Sequence, residues 1–384
     1  MALGPLDFDT QSIVFSLADT PTLLTLSRTS KSLGAQARAV LLRDVSLSQD
    51  PAQVINFQHF VVENKLGHHI RRLFIRRGAF HSNPPFLGPR GYTDNDSAEP
   101  EVVAGAVAEV LAETPHLRVL CVDKFAQEML AMEPRLGKAL TSCNHLTDLT
   151  LRDVGADALN SLSELRGLRQ LALVAYRALD DLIWPDYFHI PQGSSISTVI
   201  LNSSSTLESL SLTGFRLHSL FSDSTISFPK VHSISYLECE ATLEHQERAF
   251  PAVRNVHFDP MPFSEATLSS FAPFWFHLES IQASSSFIRI FQKCHGTLRR
   301  VGLTEDHLLP GPQSSDARLM LSQLGSTNHL VSLSLTIQDP TAVVLESILK
   351  EALHLAFLDL VLIPRELAET NIVREMLVRR ATKL

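Results

Sequence analysis

A recurring apolar spacing runs along most of the chain. Between positions 145 and 173, leucines stand at 146, 149 and 151 and again, twenty-two residues later, at 168, 171 and 173. The strict spacing Leu-x-x-Leu-x-Leu begins five times, at Leu146, Leu168, Leu207, Leu330 and Leu355. Other apolar residues complete seven looser copies, which begin at positions 42, 70, 117, 231, 253, 278 and 298. The twelve copies recur at a mean step of about 28 residues, which indicates a stacked repeat rather than chance.

Each copy predicts one short strand. Its last two anchors alternate with a polar residue, so they share one face of a strand, and its first anchor packs beneath them from the preceding turn. Helix-competent segments lie between copies, for example 101–113 and 341–352. One strand and one helix cannot bury their apolar faces alone, so the copies must stack. We therefore expect an α/β solenoid, a curved parallel sheet with helices on its other side.

On this spacing, residues from about 42 to 363 resemble the leucine-rich-repeat family. The sequence departs from the regular family pattern, because no Asn or Cys follows the third anchor and the unit length varies from 20 to 47 residues. Irregular repeats of this kind are typical of intracellular members in which the repeats follow an adaptor domain. The resemblance implies a protein-interaction fold.

The first forty-seven residues are organised differently. Candidate N-cap residues precede three apolar runs: Asp9 or Thr10, Asp19 or Thr20, and Ser30. Pro21 would lie in the first turn of the second helix, where its missing N–H is harmless. Three short helices hold little core of their own, so we expect this segment to dock on the repeats or on a partner.

This segment resembles the F-box, the helical module that binds the adaptor Skp1 in SCF (Skp1–cullin–F-box) ubiquitin ligases. The resemblance is carried by Leu6, by the run DTPTLL that begins at Asp19, and by the run LSRTSKSL that begins at Leu26. It departs at the start, where the family favours Leu-Pro and here Pro5 precedes Leu6. The resemblance implies an F-box-like module over 1–48 and repeats over 49–384, closed by a C-terminal helical cap.

The same resemblance assigns seven apolar residues to a Skp1-binding surface: Leu6, Ile13, Leu17, Pro21, Leu23, Leu24 and Leu26. The alternative is that most of them form the small core of the module itself. For Leu6, Pro21 and Leu24 the contact role is favoured, because interface hot spots are apolar anchors at the centre of a patch, whereas for Ile13 and Leu17 both interpretations stay open.

Charge and composition exclude several classes of function. The formal net charge is −8, whereas nucleic-acid binders are normally basic, so we expect no nucleic-acid partner. The arginines at 71, 72, 76 and 77 are interpreted as solvated charges. The two most apolar runs, 102–112 and 352–364, are shorter than the roughly 20 residues of a spanning helix, and no secretory leader pattern is present. Four cysteines without a Cys-x-x-Cys pair favour buried thiols in a reducing compartment, hence the cytoplasm, the nucleus or both.

The common catalytic and metal-binding motifs are missing from the sequence, so we expect no enzyme activity, cofactor or metal. Of the sixteen histidines, several precede repeat anchors and are interpreted as turn residues, among them His116, His145 and His329. Two segments, 78–100 and 178–205, lengthen their repeats and are interpreted as loops. The second contains the aromatic residues Trp184, Tyr187 and Phe188, for which covering the repeats is favoured over anchoring a partner.

The favoured function is a non-catalytic adaptor whose helices bind Skp1 and its cullin complex while the repeats hold a substrate protein. Such an adaptor acts by proximity alone. The non-anchor residues of the strands are the candidate substrate contacts: Asp148, Thr150, Arg152, Glu208, Ser209, Ser211, Arg299 and Arg300. The alternative is a leucine-rich-repeat scaffold outside the ubiquitin system, in which the N-terminal helices only cap the solenoid.

Overall fold

Each of the twelve apolar copies forms a β-strand in the computed structural model, and each strand begins two residues after the first anchor of its copy. The structure describes residues 8–81, 100–175, 188–189, 195–217, 225–239, 246–259, 277–283, 297–303, 330–338 and 356–363. The chain divides into two compact units. Unit 1 contains residues 1–184 and 193–206, and unit 2 contains residues 185–192 and 207–384.

Unit 1 contains a parallel sheet whose strands follow one another in chain order. They are β1 (Asp44–Leu47), β2 (Arg72–Ile75), β3 (Val119–Val122), β4 (Asp148–Val154) and β5 (Gln170–Ala175). Equivalent second anchors are paired across the sheet, and all are buried: Val45, Leu73, Leu120, Leu149 and Leu171. The stretch that suggested the repeat is therefore two neighbouring parallel strands.

Helices connect the strands of unit 1. Before β1 come α1 (Phe8–Leu17), α2 (Thr20–Leu26) and α3 (Lys31–Leu41). The returns contain α4 (Pro51–Glu63), α5 (Pro100–Ala112), α6 (Ala126–Met132), α7 (Pro134–Ser142), α8 (Ala156–Ser161) and α9 (Ser195–Asn202), with 3-10 turns at Gly67–His69 and Arg77–Phe80. The predicted helix over 101–113 matches α5, whereas the one over 341–352 lies outside the described residues.

The predicted loop over 178–205 is wrong in its second half, because α9 occupies residues 195 to 202. Its residues Ile196, Val199 and Ile200 recur at helical spacing and are buried, so the segment serves as a repeat return. Trp184 and Tyr187 lie outside the described residues, as does most of the 78–100 segment.

Unit 2 continues the pattern with seven parallel strands in chain order. They are β7 (Ser209–Thr213), β9 (Ser233–Leu237), β10 (Asn255–Asp259), β11 (Ser280–Ala283), β12 (Arg300–Leu303), β13 (Ser332–Gln338) and β14 (Phe357–Ile363). Two short strands, β6 (Phe188–His189) and β8 (Phe215–Arg216), pair separately, and a helix α10 covers Gln246–Ala249. Each unit is thus a stack of repeats built on a parallel sheet, so the predicted α/β repeat fold is confirmed.

The C-terminus of α4 ends in a left-handed residue that is not glycine. The N–H of Leu66 donates to the carbonyl of Val61 at 3.0 Å, and the N–H of Lys65 donates to Val62 at 3.2 Å. This pair of bonds is the Schellman motif, which requires a positive φ at the residue after the cap. Lys65 has a φ of 52°, a conformation that disfavours any side chain with a Cβ.

Replacing Lys65 with glycine should therefore stabilise unit 1 by about 0.5–1 kcal/mol, because the left-handed strain is removed. Urea unfolding followed by circular dichroism measures the change. Lys65→Ala, which keeps the Cβ, is the matched control and should stay within about 0.5 kcal/mol of the wild type. Equal stabilities for the glycine and alanine variants would contradict the prediction.

Candidate partner-binding surfaces

The three N-terminal helices form a small module with its own core. Phe15, Leu23 and Ala37 are buried together, one from each helix. Around them pack the partly buried side chains Ala18, Leu26, Leu33, Val40 and Leu41. The amide of Gln36 on α3 donates to the Gln11 side chain on α1 at 3.0 Å. Ile13, Leu17 and Leu24 do not belong to this core cluster.

Two of the predicted caps fix the helix boundaries. The Asp19 carboxylate accepts a hydrogen bond from the Thr22 N–H at 2.9 Å, and the Ser30 hydroxyl accepts one from the Leu33 N–H at 3.2 Å. The bond from Thr22 holds the pKa of Asp19 below its usual value, as expected for a carboxylate that caps a helix. The first helix differs from the prediction, since α1 begins at Phe8 and its predicted caps lie inside its first turn.

Several apolar side chains of this module face water. Leu17 is 81% exposed and Ile13 is 60% exposed, and they are four residues apart on α1, so they lie on one helical face. On α2, Leu24 is 46% exposed and Pro21 is also exposed. We call Ile13, Leu17, Pro21 and Leu24 the apolar helix surface.

The structure divides the seven predicted contact residues into different environments. Leu23 is only 4% exposed and belongs to the core of the module, and Leu26 is half-buried against that core, so packing accounts for both. Leu6 lies outside the described residues. Val14, which the resemblance does not assign to the contact surface, is 48% exposed beside Ile13. The sequence shows only that Val14 is apolar, and its position around the helix axis is needed to predict that it is exposed.

The strand residues proposed as substrate contacts form separate polar surfaces in the two units. In unit 1, Asp148 and Thr150 are half-buried and Arg152 is exposed. In unit 2, Arg299 and Arg300 are exposed, while the other three are half-buried: Glu208, Ser209 and Ser211. Ser209 is paired with Ser233 and Ser211 with Ser235, so the part of that surface on β7 and β9 presents mainly hydroxyl groups.

An arginine-lined groove lies at the edge of the unit 1 sheet where its strands begin. Its volume is about 610 Å³, and its lining includes Arg43, Arg71, Arg72 and Arg118 together with His69. From the sequence, Arg71 and Arg72 are interpreted as solvated charges, and their distance along the chain from Arg43 and Arg118 gives no local sign of the groove. A signal was present, because an arginine directly follows the first anchor at Leu42, Ile70 and Leu117.

The turn histidines behave as their shared repeat position predicts. His116 and His145 are exposed, and their ring centroids are 5.5 Å apart in successive repeats. His329 lies outside the described residues. Within the described ranges, no three His, Cys, Asp or Glu side chains are grouped as metal ligands would be.

Three cysteines of the described chain are buried and unpaired: Cys121, Cys143 and Cys239. Burial raises the pKa of Cys121 and Cys143 to about 11 and that of Cys239 to about 12. At neutral pH these thiols are protonated, and the thiolate is the form that acts as nucleophile or metal ligand. None of the helices in the described part of the chain has the length and apolar character needed to cross a membrane.

Comparisons with known proteins find likeness among solved structures. No protein-family model and no curated protein matches the chain. Among solved structures, the chain is similar to one titled "Crystal structure of Rad7 and Elc1 complex in yeast", with a TM-score of 0.41 and 12% sequence identity. The match covers 92% of this chain and 80% of that one.

Proposed function

We propose that this protein is the substrate-recognition adaptor of an SCF-type ubiquitin ligase. Helices α1 to α3 bind a Skp1-type adaptor and through it the cullin complex, and the leucine-rich repeats hold the substrate protein. The observation that carries the proposal is the apolar helix surface on a module whose own core is already closed.

Exposed leucines on so small a module favour a partner over an internal role. Fully burying a leucine side chain contributes about 1.5–3 kcal/mol relative to leaving it in water. In the isolated chain, Leu17 and Ile13 are mostly exposed and so contribute little of that stabilisation, whereas Phe15 in the same helix is buried. A complementary adaptor surface would recover it, and apolar anchors at the centre of an interface commonly carry most of the binding energy.

The F-box-like sequence features agree with this surface. The run DTPTLL supplies the Asp19 cap, Pro21 in the first turn of α2, one buried leucine and one exposed leucine. The run LSRTSKSL crosses from α2 into α3 and contains the Ser30 cap. Both motifs therefore build the module and also leave Pro21 and Leu24 available to a partner.

The contribution to ubiquitin transfer would be positional. Other subunits supply the chemistry, while the adaptor raises the effective concentration of substrate lysines near the charged conjugating enzyme. Such a role requires two binding surfaces that work independently. The apolar helix surface serves the ligase, and the polar strand surfaces around Thr150 in unit 1 and Ser211 in unit 2 are the candidates for the substrate.

Binding of the full-length chain to purified Skp1 tests the proposal. Wild type should bind, and Leu17→Asp or Leu24→Asp should weaken binding about thirtyfold or more, because a charge would be buried where an apolar anchor was. Isothermal titration calorimetry measures the dissociation constants, and circular dichroism confirms that the variants are folded.

Phe60→Asp is the matched control, since Phe60 is a 40% exposed apolar residue on α4, outside the module. It should leave Skp1 binding unchanged. Failure of the wild type to bind, or equal binding by the Leu24→Asp variant, would refute the adaptor function. A leucine-rich-repeat scaffold outside the ubiquitin system would then be the remaining candidate.

A further inference from the structure

Two histidines from successive repeats of unit 1 lie side by side. His116 directly precedes the first anchor Leu117, and His145 directly precedes the equivalent anchor Leu146. Their ring centroids are 5.5 Å apart, and the ring planes are inclined by 40°. Both side chains are exposed. We call them the histidine pair.

The backbone sets the distance between the two turns that carry the histidine pair. The N–H of Leu117 donates to the carbonyl of Thr114 at 3.1 Å, and the N–H of Leu146 donates to Cys143 at 2.9 Å, so both turns close in the same way. The strands that follow them, β3 and β4, are paired in parallel and so lie about 4.8 Å apart. The two histidines therefore project from equivalent positions of neighbouring repeats.

The turn itself does not require a histidine at this position. In three later repeats the residue before the first anchor is Gly167, Thr206 or Lys230. The turn that contains Lys230 closes with the same type of bond, from the N–H of Val231 to the carbonyl of Phe228 at 3.2 Å. Within the described part of the chain, neither ring of the histidine pair forms a hydrogen bond. The ring nitrogens are therefore available to a ligand.

The spacing of the histidine pair matches two rings that share one metal ion. Zn²⁺ binds imidazole nitrogen at about 2.0–2.1 Å and favours tetrahedral angles, which places the centroids of two coordinating rings about 5.2 Å apart. The observed separation is 5.5 Å. The outer torsion of a histidine side chain has a broad energy profile, so an exposed ring can turn a nitrogen toward the ion at little cost.

A second pair of neighbouring histidines lacks this geometry. The ring centroids of His68 and His69 are only 3.8 Å apart, which would require an N–metal–N angle of about 73°, far below the tetrahedral value. Nδ1 of His68 also lies 2.9 Å from the carbonyl oxygen of Lys65. Burial, followed by the charges of His68 and of two arginines, lowers the pKa of His69, and these positive neighbours also disfavour a bound cation.

We propose that His116 and His145 together bind one divalent transition-metal ion, of the class Zn²⁺, Ni²⁺ or Cu²⁺, between two repeats of unit 1. Imidazole is a preferred ligand of these ions. In the described ranges no third His, Cys, Asp or Glu side chain joins the group, so water completes the coordination and the site is an open one. The ion would join the two repeats, and this role is independent of the proposed adaptor function.

This site departs from the expectation of no metal, which was based on sequence motifs. The two histidines are 29 positions apart in the sequence, so no short metal-binding motif contains both. They come together only because parallel pairing places equal positions of successive repeats beside each other.

Isothermal titration calorimetry of the full-length chain with ZnCl₂ tests the proposal. His116→Ala and His145→Ala should each weaken Zn²⁺ binding at least about tenfold, because a second ligand that is already in place raises the affinity of the first. Both side chains are exposed, so the variants should keep the wild-type fold, which circular dichroism checks. His68→Ala is the matched control, and it should bind Zn²⁺ like the wild type.

Electron paramagnetic resonance with CuCl₂ as the probe counts the nitrogen ligands directly, since Cu²⁺ binds such sites most tightly of the divalent series. Nitrogen hyperfine coupling should show two imidazoles on the ion in the wild type and one in each single variant. Absence of Zn²⁺ binding by the wild type, or equal affinities of the wild type and the His116→Ala and His145→Ala variants, would overturn the proposal. A tenfold loss in His68→Ala, or a single coordinated imidazole in the wild type, would overturn it as well.

Discussion

Leu210→Ala should lower the free energy of unfolding of unit 2 by about 2–5 kcal/mol. Leu210 is 0% exposed, and it is paired with Ile234 in the next strand. The same buried row continues through Val256, Ile281, Val301 and Leu333. Truncation removes apolar contacts and leaves a cavity, and the paired strands on this row cannot collapse into it without shifting their register.

Urea unfolding measures the loss, and hydrogen exchange followed by mass spectrometry assigns it to β7 and β9. Ser211→Ala is the matched control, because Ser211 is the next residue on the same strand and points to the opposite face. It should change stability by no more than about 0.5 kcal/mol. A Leu210→Ala cost under about 1 kcal/mol would show that this row is not a packed core.

The strands could be predicted from the sequence because two separate features of the repeat specify them. Periodic anchors predict each strand locally, and parallel pairing then aligns equal anchors of successive copies, as Leu149 with Leu171 and Leu210 with Ile234. A one-residue slip would expose every anchor at once, so the register is strongly specified. This explains why even the looser copies, such as those beginning at Ile70 and Val253, form strands at the same offset.

The apolar helix surface could not be separated from the module core by sequence alone. In α1, the neighbours Val14 and Phe15 are both apolar, yet Val14 is exposed and Phe15 is buried because they lie on different faces of the helix. In α2 the same holds for Leu24 and Leu23. Helices of two or three turns that are apolar on most faces carry no clear periodic signal, so the packing of α1, α2 and α3 decides which side chains remain free.

The arginine-lined groove of unit 1 could not be predicted from the sequence for a different reason. Arg43, Arg71 and Arg118 are separated by 28 and 47 residues, and the net charge of the chain is negative, so neither local runs nor composition reveals a basic site. Their proximity arises only because parallel pairing stacks the residue after each first anchor. In repeat chains of this kind, charged residues should therefore be compared by their position within the repeat rather than by their distance along the sequence.

A close backbone contact between two repeats of unit 1 leaves no room for a side chain at one glycine. Gly67 is buried in the 3-10 turn before β2, and a Cβ added there would clash with the carbonyl oxygen of Glu113, just after α5. The obstacle is backbone rather than a flexible side chain, so the two repeats would have to separate. Gly105, inside α5, offers the opposite case, since an added Cβ would meet only the Glu133 carboxylate at 3.9 Å.

Gly67→Ala should therefore destabilise unit 1 by about 3 kcal/mol, at the upper end of what overpacking costs in a buried site. Gly105→Ala should instead stabilise it by about 0.5–1 kcal/mol, because alanine is the better helix former. Urea unfolding measures the change in the free energy of unfolding for each variant. We expect the two changes to have opposite signs, although the substitution is the same. If the free energy of unfolding of Gly67→Ala lies within about 0.5 kcal/mol of the wild-type value, the end of α5 does not approach the turn as described. The stacking of these two repeats would then be looser than the register of β2 and β3 implies.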